Sequence, residues 1–223
     1  MEQYPFVYGA FGIHPDDAEK MTEETLEEIR QLSRLPKAVA IGEIGLDYYW
    51  HKEEHEHEIQ KKMFLAQMEI AREEKLPFMV HSRDAAKDTL DLVKDCMKGG
   101  MYGGIIHCFS YGKEMAREYL DMGLYLGIGG VVTFKNAKKL KEVVAYAPLE
   151  QLVLETDSPY LSPEPNRGKR NSSLNLPYVV MAIAEIKGIT TKEVEDITWE
   201  NAVKMYHCLR KYYGHSYDSL SCL

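Results

Sequence analysis

Six short runs rich in Val, Ile, Leu, Phe and Gly alternate with longer amphipathic stretches, and that alternation restricts the chain to one class of fold. The runs are Phe6–Ile13, Ala38–Leu46, Pro77–His81, Gly104–Phe109, Leu124–Phe134 and Leu152–Asp157. They are apolar on both faces, as strands buried between a barrel interior and surrounding helices should be. Helical patterns run between them over Thr22–Arg34, Glu54–Lys75, Asp84–Lys98, Lys113–Met122 and Asn136–Tyr146. Thr22-Glu-Glu-Thr25 opens the first with a capping residue and acids in its first turn. Ile59, Met63, Ala66 and Ile70 share one face of the second, and Gly99-Gly100 is a good stop for the third. After the sixth run come a proline-rich loop, Ser158–Asn175, and helices predicted near Leu176–Lys187, Thr191–Ile197 and Glu200–Tyr212. This order predicts an α/β fold of parallel strands joined by right-handed crossovers. A closed (β/α)8 barrel takes eight strands and about 250 residues. Six strands therefore fit either an open sheet or a barrel lacking two units.

At 223 residues the chain is long enough for one domain with a large core. The expected division is a single barrel domain over residues 1–212 and a C-terminal tail over 213–223. The net charge of −8 is unlike that of a protein that binds nucleic acid over a broad face. Any contact with phosphate must come from a local basic patch or a metal. Cys96, Cys108, Cys208 and Cys222 are widely spaced, which predicts reduced thiols in a cytoplasmic protein. No apolar run approaches the ~20 residues of a membrane helix. The start, Met1-Glu-Gln-Tyr-Pro5, does not read as a signal peptide, and Ser221-Cys222-Leu223 matches neither a peroxisomal nor a prenylation signal.

Four of the apolar runs carry a metal-ligand side chain at or near their C-terminal tip: Glu43, His81, His107 and Asp157. A carboxylate or imidazole there is a poor way to build a core and a good way to build a metal site at the mouth of an α/β barrel. One Glu, two His and one Asp suit a hydrolytic divalent metal. A lone histidine after an apolar run is often a satisfied core residue, so the reading rests on the four together.

The surrounding segments carry a resemblance. Gly12-Ile-His-Pro15, Ile41-Gly-Glu-Ile-Gly-Leu-Asp-Tyr-Tyr49, Val80-His-Ser-Arg-Asp84, Ile106-His-Cys-Phe-Ser110, Leu154-Glu-Thr-Asp-Ser-Pro-Tyr-Leu161 and Pro165-Asn-Arg-Gly-Lys-Arg-Asn171 resemble the TatD-type deoxyribonucleases, metal-dependent hydrolases of the amidohydrolase superfamily. The likeness runs from about Tyr4 to about Lys211. It implies a TIM barrel in which Glu43 is the bridging carboxylate of the fourth strand, His81 and His107 the histidines of the fifth and sixth, and Asp157 the aspartate of the eighth. The run Phe6–Ile13 then matches the third strand. Strands 1 and 2, with the H-x-H pair that holds the first metal in the family, have no counterpart here, so the chain reads as an incomplete, N-terminally truncated barrel. His55-Glu-His57 has the H-x-H spacing but sits in a charged helix start and reads as solvated. The expectation is one retained metal (Mg, Mn or Zn) on Glu43, His81 and His107, a weakened second site left with Asp157 and Glu43, and lowered activity.

The reaction implied is exonuclease-like cleavage of DNA phosphodiester bonds by a metal-activated water, with Asp157 and Glu43 as the catalytic carboxylates and single-stranded ends as the substrate. Glu155, two residues before Asp157, either supports a ligand or pairs with a basic residue. His14, Arg83, Arg167 and Lys169 are the expected phosphate contacts, with Arg170 less specific. Tyr48, Tyr49 and Trp50 either stack bases or pack the rim. Gly127-Ile-Gly-Gly130 reads as tight packing. The alternatives are a small-molecule amidohydrolase or lactonase using the same ligands, and an inactive barrel fragment. The expected state is a monomer; edges exposed by the missing strands would allow an edge-to-edge dimer.

Overall fold

The computed structural model describes Met1 and residues 3–209. Strands and helices alternate as far as α6, and a further helix follows: β1 (Gly9–Phe11), α1 (Glu23–Ser33), β2 (Ala38–Asp47), α2 (Glu54–Glu73), β3 (Phe78–Arg83), α3 (Ala86–Lys98), β4 (Gly104–Ile106), α4 (Lys113–Asp121), β5 (Tyr125–Ile128), α5 (Lys138–Tyr146), β6 (Leu152–Leu154), α6 (Leu176–Lys187) and α7 (Thr191–Met205). Strand order follows chain order, β1-β2-β3-β4-β5-β6. The pairs β1–β2, β2–β3 and β5–β6 are parallel, as the βα alternation requires. The tail over 213–223 lies outside the described residues.

The fold divides into two compact units, and the division falls within β4. The first holds the described residues of 1–105 and 203–209; the second holds Ile106–Ala202. In the first, Ile41, Ile44 and Leu46 of β2, Phe78 and Val80 of β3, and Phe64, Met68 and Ile70 of α2 are almost wholly buried. Each such side chain contributes roughly 1.5–3 kcal/mol through removal from water. The capping box at Thr22 and Thr25 starts α1 as expected, and Gly100 takes a φ of 84° just past α3. In the second unit the core is made by Leu126 and Ile128 of β5, Leu152 and Val153 of β6, Val143 and Val144 of α5, and Val179 and Ile183 of α6.

Several boundaries differ from the sequence reading. β1 is three residues long, against the expected Phe6–Ile13, and Phe6 and Val7 are exposed. β5 ends at Ile128, and Gly130–Thr133 coils into a 3-10 turn closed by Thr133 Oγ1 donating to the Gly130 carbonyl at 2.7 Å. The two helices expected over Thr191–Ile197 and Glu200–Tyr212 are one continuous helix, α7, as far as Met205. Thr198 causes no break because its hydroxyl bonds the Val194 carbonyl one turn back, at 2.7 Å. On α2, Ile59, Met63 and Ala66 are only half-buried; the deeply buried face includes two glutamines, Gln60 and Gln67. No described helix is long and apolar enough to cross a membrane.

Candidate functional site

The first unit gathers ionisable groups on β2, on β3 and in the segment after β1. Glu43 lies inside β2, four residues before its end, and His81 lies in the middle of β3, so neither is at a strand tip as expected. The β2–β3 register sets Gly45 opposite His81 and Asp47 opposite Arg83. A side chain at Gly45, whose φ is 144°, would collide with the His81 carbonyl, so this glycine permits the close approach of the two strands. His81 Nδ1 lies 3.0 Å from Glu43 Oε1, and Nε2 lies 3.1 Å from Asp47 Oδ2. Burial alone would pull its pKa down, but the hydrogen bonds to Asp47 and Glu43 outweigh that and push it up to about 9.

Asp47 is 1% exposed and fully engaged. Its Oδ1 accepts the backbone N–H groups of Tyr49 at 2.9 Å and Trp50 at 3.0 Å. Burial opposes its charge, yet the bonds from His81 and these N–H groups hold its carboxyl below the usual range. With Asp47 as acceptor, Nε2 of His81 carries a proton, and the raised pKa keeps a second proton on Nδ1, facing Glu43, at neutral pH.

His14 lies three residues beyond β1 and caps the following 3-10 turn, its Nδ1 accepting the N–H of Asp16 at 3.3 Å. Its ring meets that of His81 edge-on at 4.5 Å. Burial and the neighbouring His81 lower its pKa more than Glu43, Asp16 and Asp47 raise it, so neutral pH leaves it unprotonated. His14, Glu43 and His81 each offer a ligand atom within 4.8 Å of the others. Two neutral-capable imidazoles and a carboxylate form a donor set that fits a divalent cation such as Zn or Mn. The sequence reading gave His14 to phosphate; here it lies beside Glu43 and His81, in a group that could hold a cation.

Two buried glutamines hold this arrangement. Gln60 Oε1 accepts the N–H of Asp47 at 2.9 Å, and its amide donates to the carbonyls of Asp47 and Pro15. Gln67 Oε1 accepts the N–H of Ile13 at 2.6 Å, and its amide donates to the Ile13 carbonyl. α2 thereby fixes the backbone on either side of His14 and at Asp47. Asp47, Gln60 and Gln67 had no assigned role in the sequence reading; the one signal was the place of Asp47 in the segment Ile41–Tyr49.

The second unit builds a parallel arrangement. His107 directly follows β4, with Nδ1 2.8 Å from Glu155 Oε2 and Nε2 3.3 Å from Asp157 Oδ1. Asp157 lies three residues beyond β6, at a φ of 56°. Glu155 thus supports a histidine, and its carboxylate lies against Gly127, where any Cβ would collide with it. The tight-packing reading of that glycine run holds. Asn171 ties the next loop down: its amide donates to the Thr156 carbonyl at 2.7 Å and its N–H to the Pro159 carbonyl at 3.0 Å.

The remaining residues separate by setting. Arg167 lies over the Phe134 ring at 4.2 Å, and Lys169 and Arg170 are exposed on the same loop. Arg83 is exposed at the end of β3, its guanidinium 4.0 Å from the Tyr49 ring. Tyr48 is taken up in packing: it stacks on His57 at 3.6 Å, and its hydroxyl donates to Asp88 at 2.9 Å. His57 is half-buried rather than solvated, its Nε2 donating to the His51 carbonyl at 2.9 Å.

The family model for TatD related DNase matches residues 1–207. The chain belongs to the TatD family. It is 48% identical over 207 residues to YabD of Bacillus subtilis (strain 168), described as an uncharacterized metal-dependent hydrolase, covering 92% of this chain and 80% of that protein. It is 35% identical over 211 residues to the 3'-5' ssDNA/RNA exonuclease TatD of Citrobacter rodentium (strain ICC168), covering 92% of this chain and 79% of that protein. The crystal structure of YjjV, a TatD homolog from Escherichia coli K12, superimposes with a TM-score of 0.84 at 29% identity, over 92% of this chain and 79% of that one. The TatD family membership carries with it the TIM-barrel type of α/β fold and the class of metal-dependent hydrolase.

Proposed function

We propose that this TatD family hydrolase cleaves phosphodiester bonds at the ends of single-stranded DNA. The observation that carries the reading is His81, held between Glu43 and the buried Asp47 with His14 within ligand distance. A histidine fixed by a carboxylate behind it and paired with a carboxylate in front is how proteins present a metal-ligating imidazole. The exonuclease named for the Citrobacter rodentium relative supports the choice of substrate.

Glu43 and His81, with His14 beside them, would hold the cation, and His107 and Asp157 are the other proposed ligands. A divalent Mg, Mn or Zn bound there would supply Lewis-acid stabilisation of charge on the phosphoryl oxygens. Asp157 orients the attacking water and accepts its proton, while His107 Nε2, 3.3 Å from Asp157 Oδ1, steadies that carboxylate. Glu155 holds the other face of the His107 ring. Arg83, Arg167 and Lys169 meet the phosphate, a role their exposure allows in a chain of net charge −8.

The test is hydrolysis of end-labelled single-stranded DNA with added Mg or Mn, run beside Asp157→Asn and Glu43→Ala. Cleavage by the parent that both substitutions abolish is the expected result. Competition by inorganic phosphate discriminates the substrate class, since a phosphodiesterase is inhibited and an amidase or lactonase is not. Hydrolysis of lactones or amides with no cleavage of DNA would overturn the reading.

A further inference from the structure

We propose that Tyr49, Trp50 and Arg83 form a platform on which an unpaired nucleobase stacks while its phosphate meets the guanidinium. The inference rests on the nuclease reading and adds a substrate-binding element to it. Trp50 is 65% exposed and Tyr49 40% exposed. A single exposed ring is ordinary on a protein surface. These two are in edge contact at 4.7 Å, and Arg83 lies 4.0 Å from the Tyr49 centroid and 5.6 Å from that of Trp50. Lys52 flanks the same tyrosine at 5.4 Å. Two cations and two aromatic faces are thus concentrated at one point of an acidic chain.

The turn that carries the rings is fixed from below. The N–H groups of Tyr49 and Trp50 both bond Asp47 Oδ1, and the N–H of Tyr48 bonds the Arg83 carbonyl at 2.9 Å. A turn whose amides are committed in this way presents its side chains with little ordering left to do on binding. The other oxygen of Asp47 holds His81. One buried carboxylate therefore positions both the aromatic turn and a proposed metal ligand.

The chemistry selects the occupant. An indole face accepts any base, which suits a sequence-tolerant enzyme, and a guanidinium fork suits the adjoining phosphate. In a duplex the base faces are covered by their neighbours, so the ligand is a single strand. Base–aromatic stacking contributes roughly 1–3 kcal/mol per base, which corresponds to about 5- to 150-fold in affinity.

The chain has two tryptophans, so Trp199→Phe leaves Trp50 as the sole indole. In that background, with EDTA present to prevent cleavage, a short oligothymidylate should quench Trp50 emission. An abasic oligomer of the same length and charge should not, and should bind at least fivefold more weakly. Anisotropy of a labelled oligothymidylate should then show the base-dependent gain lost in Trp50→Leu and the overall affinity reduced in Arg83→Gln. Equal binding of thymidylate and abasic oligomers, or a Trp50 signal indifferent to both, would overturn the platform. A chain that cleaves DNA without base-dependent binding refutes the platform alone. A chain that binds by stacking yet hydrolyses no phosphodiester refutes the nuclease reading alone.

Discussion

His81 in the first unit and His107 in the second are built alike, each with both ring nitrogens near carboxylates, but their supports are not equally complete. The supporting Asp47 uses one oxygen for His81 and the other for two backbone N–H groups. The supporting Glu155 uses one oxygen for His107, while its Oε1 is buried without a hydrogen-bond partner among the described residues. A buried acceptor left unpaired costs roughly 1–3 kcal/mol. The support of the first cluster is therefore fully bonded, whereas that of the second retains an unmet acceptor, which lies against Gly127 and Gly129. The comparison teaches that two histidines flanked alike by carboxylates can rest on supports that differ in how fully their own oxygens are bonded.

The largest expected effects separate the two by what each holds. Glu43→Ala should abolish both cation binding, followed by calorimetry, and DNA hydrolysis. Asp157→Asn should lower hydrolysis by about 10²–10⁴-fold, the range for loss of a general base, and leave cation binding at His14, Glu43 and His81 within a few-fold of the parent. If Asp157→Asn removes cation binding as completely as Glu43→Ala, the two clusters do not have separate roles.

Next in size are the supporting carboxylates. Asp47→Asn should weaken cation affinity by about 10–100-fold, as removal of a carboxylate behind a ligating histidine does. It should also lower the melting temperature, because three hydrogen bonds at a buried site lose their charged acceptor. Glu155→Gln keeps an oxygen for His107 and removes a buried charge with one unmet oxygen, so its melting temperature should fall less than that of Asp47→Asn. The reverse order of melting temperatures would contradict the difference drawn between the supports.

How far the sequence discloses these clusters depends on what each residue type signals locally. Glu43 and His81 stand out because an ionisable side chain within an apolar strand is costly unless paired or bound. Asp47 does not, because an aspartate where a strand runs into a turn reads as an ordinary turn residue. Gln60 and Gln67 are concealed further: a polar residue on a long helix reads as its solvated face, and only the tertiary packing shows both turned inward onto backbone groups of Ile13, Pro15 and Asp47. Strand ends were overextended at β1 and β5 because Gly-rich apolar loops and strands share a composition. The grouping of His107 with Asp157 depends on residues fifty positions apart, and the family motifs, rather than periodicity, are what signalled it.

A smaller effect tests the packing behind His107. Gly127→Ala would place a methyl group against the Glu155 carboxylate, and overpacking of this kind costs about 1–3 kcal/mol. Denaturant unfolding should show that loss, and Glu155→Ala should relieve part of it in a double-mutant cycle. Strict additivity of the two substitutions would mean that Gly127 is not there to admit Glu155.

The smallest effect is the pH dependence of the cation-free protein, and it belongs to the first cluster. His81 has a folded-state pKa raised to about 9, against an ordinary value near 6.5, because Asp47 and Glu43 favour its charged form more than burial disfavours it. A raised pKa means that the folded state holds the proton more tightly than the unfolded chain. The stabilisation is complete below the unfolded pKa, diminishes from there, and is gone once the pH passes through the folded value. In EDTA the melting temperature should therefore fall between pH 7 and pH 10. His81→Gln, which cannot titrate, should flatten that fall. A saturating cation should flatten it too, because ligation replaces the proton at Nδ1. An unchanged slope in His81→Gln would assign the dependence to other groups, and with it remove the grounds for treating His81 as held in its charged form by its two carboxylates.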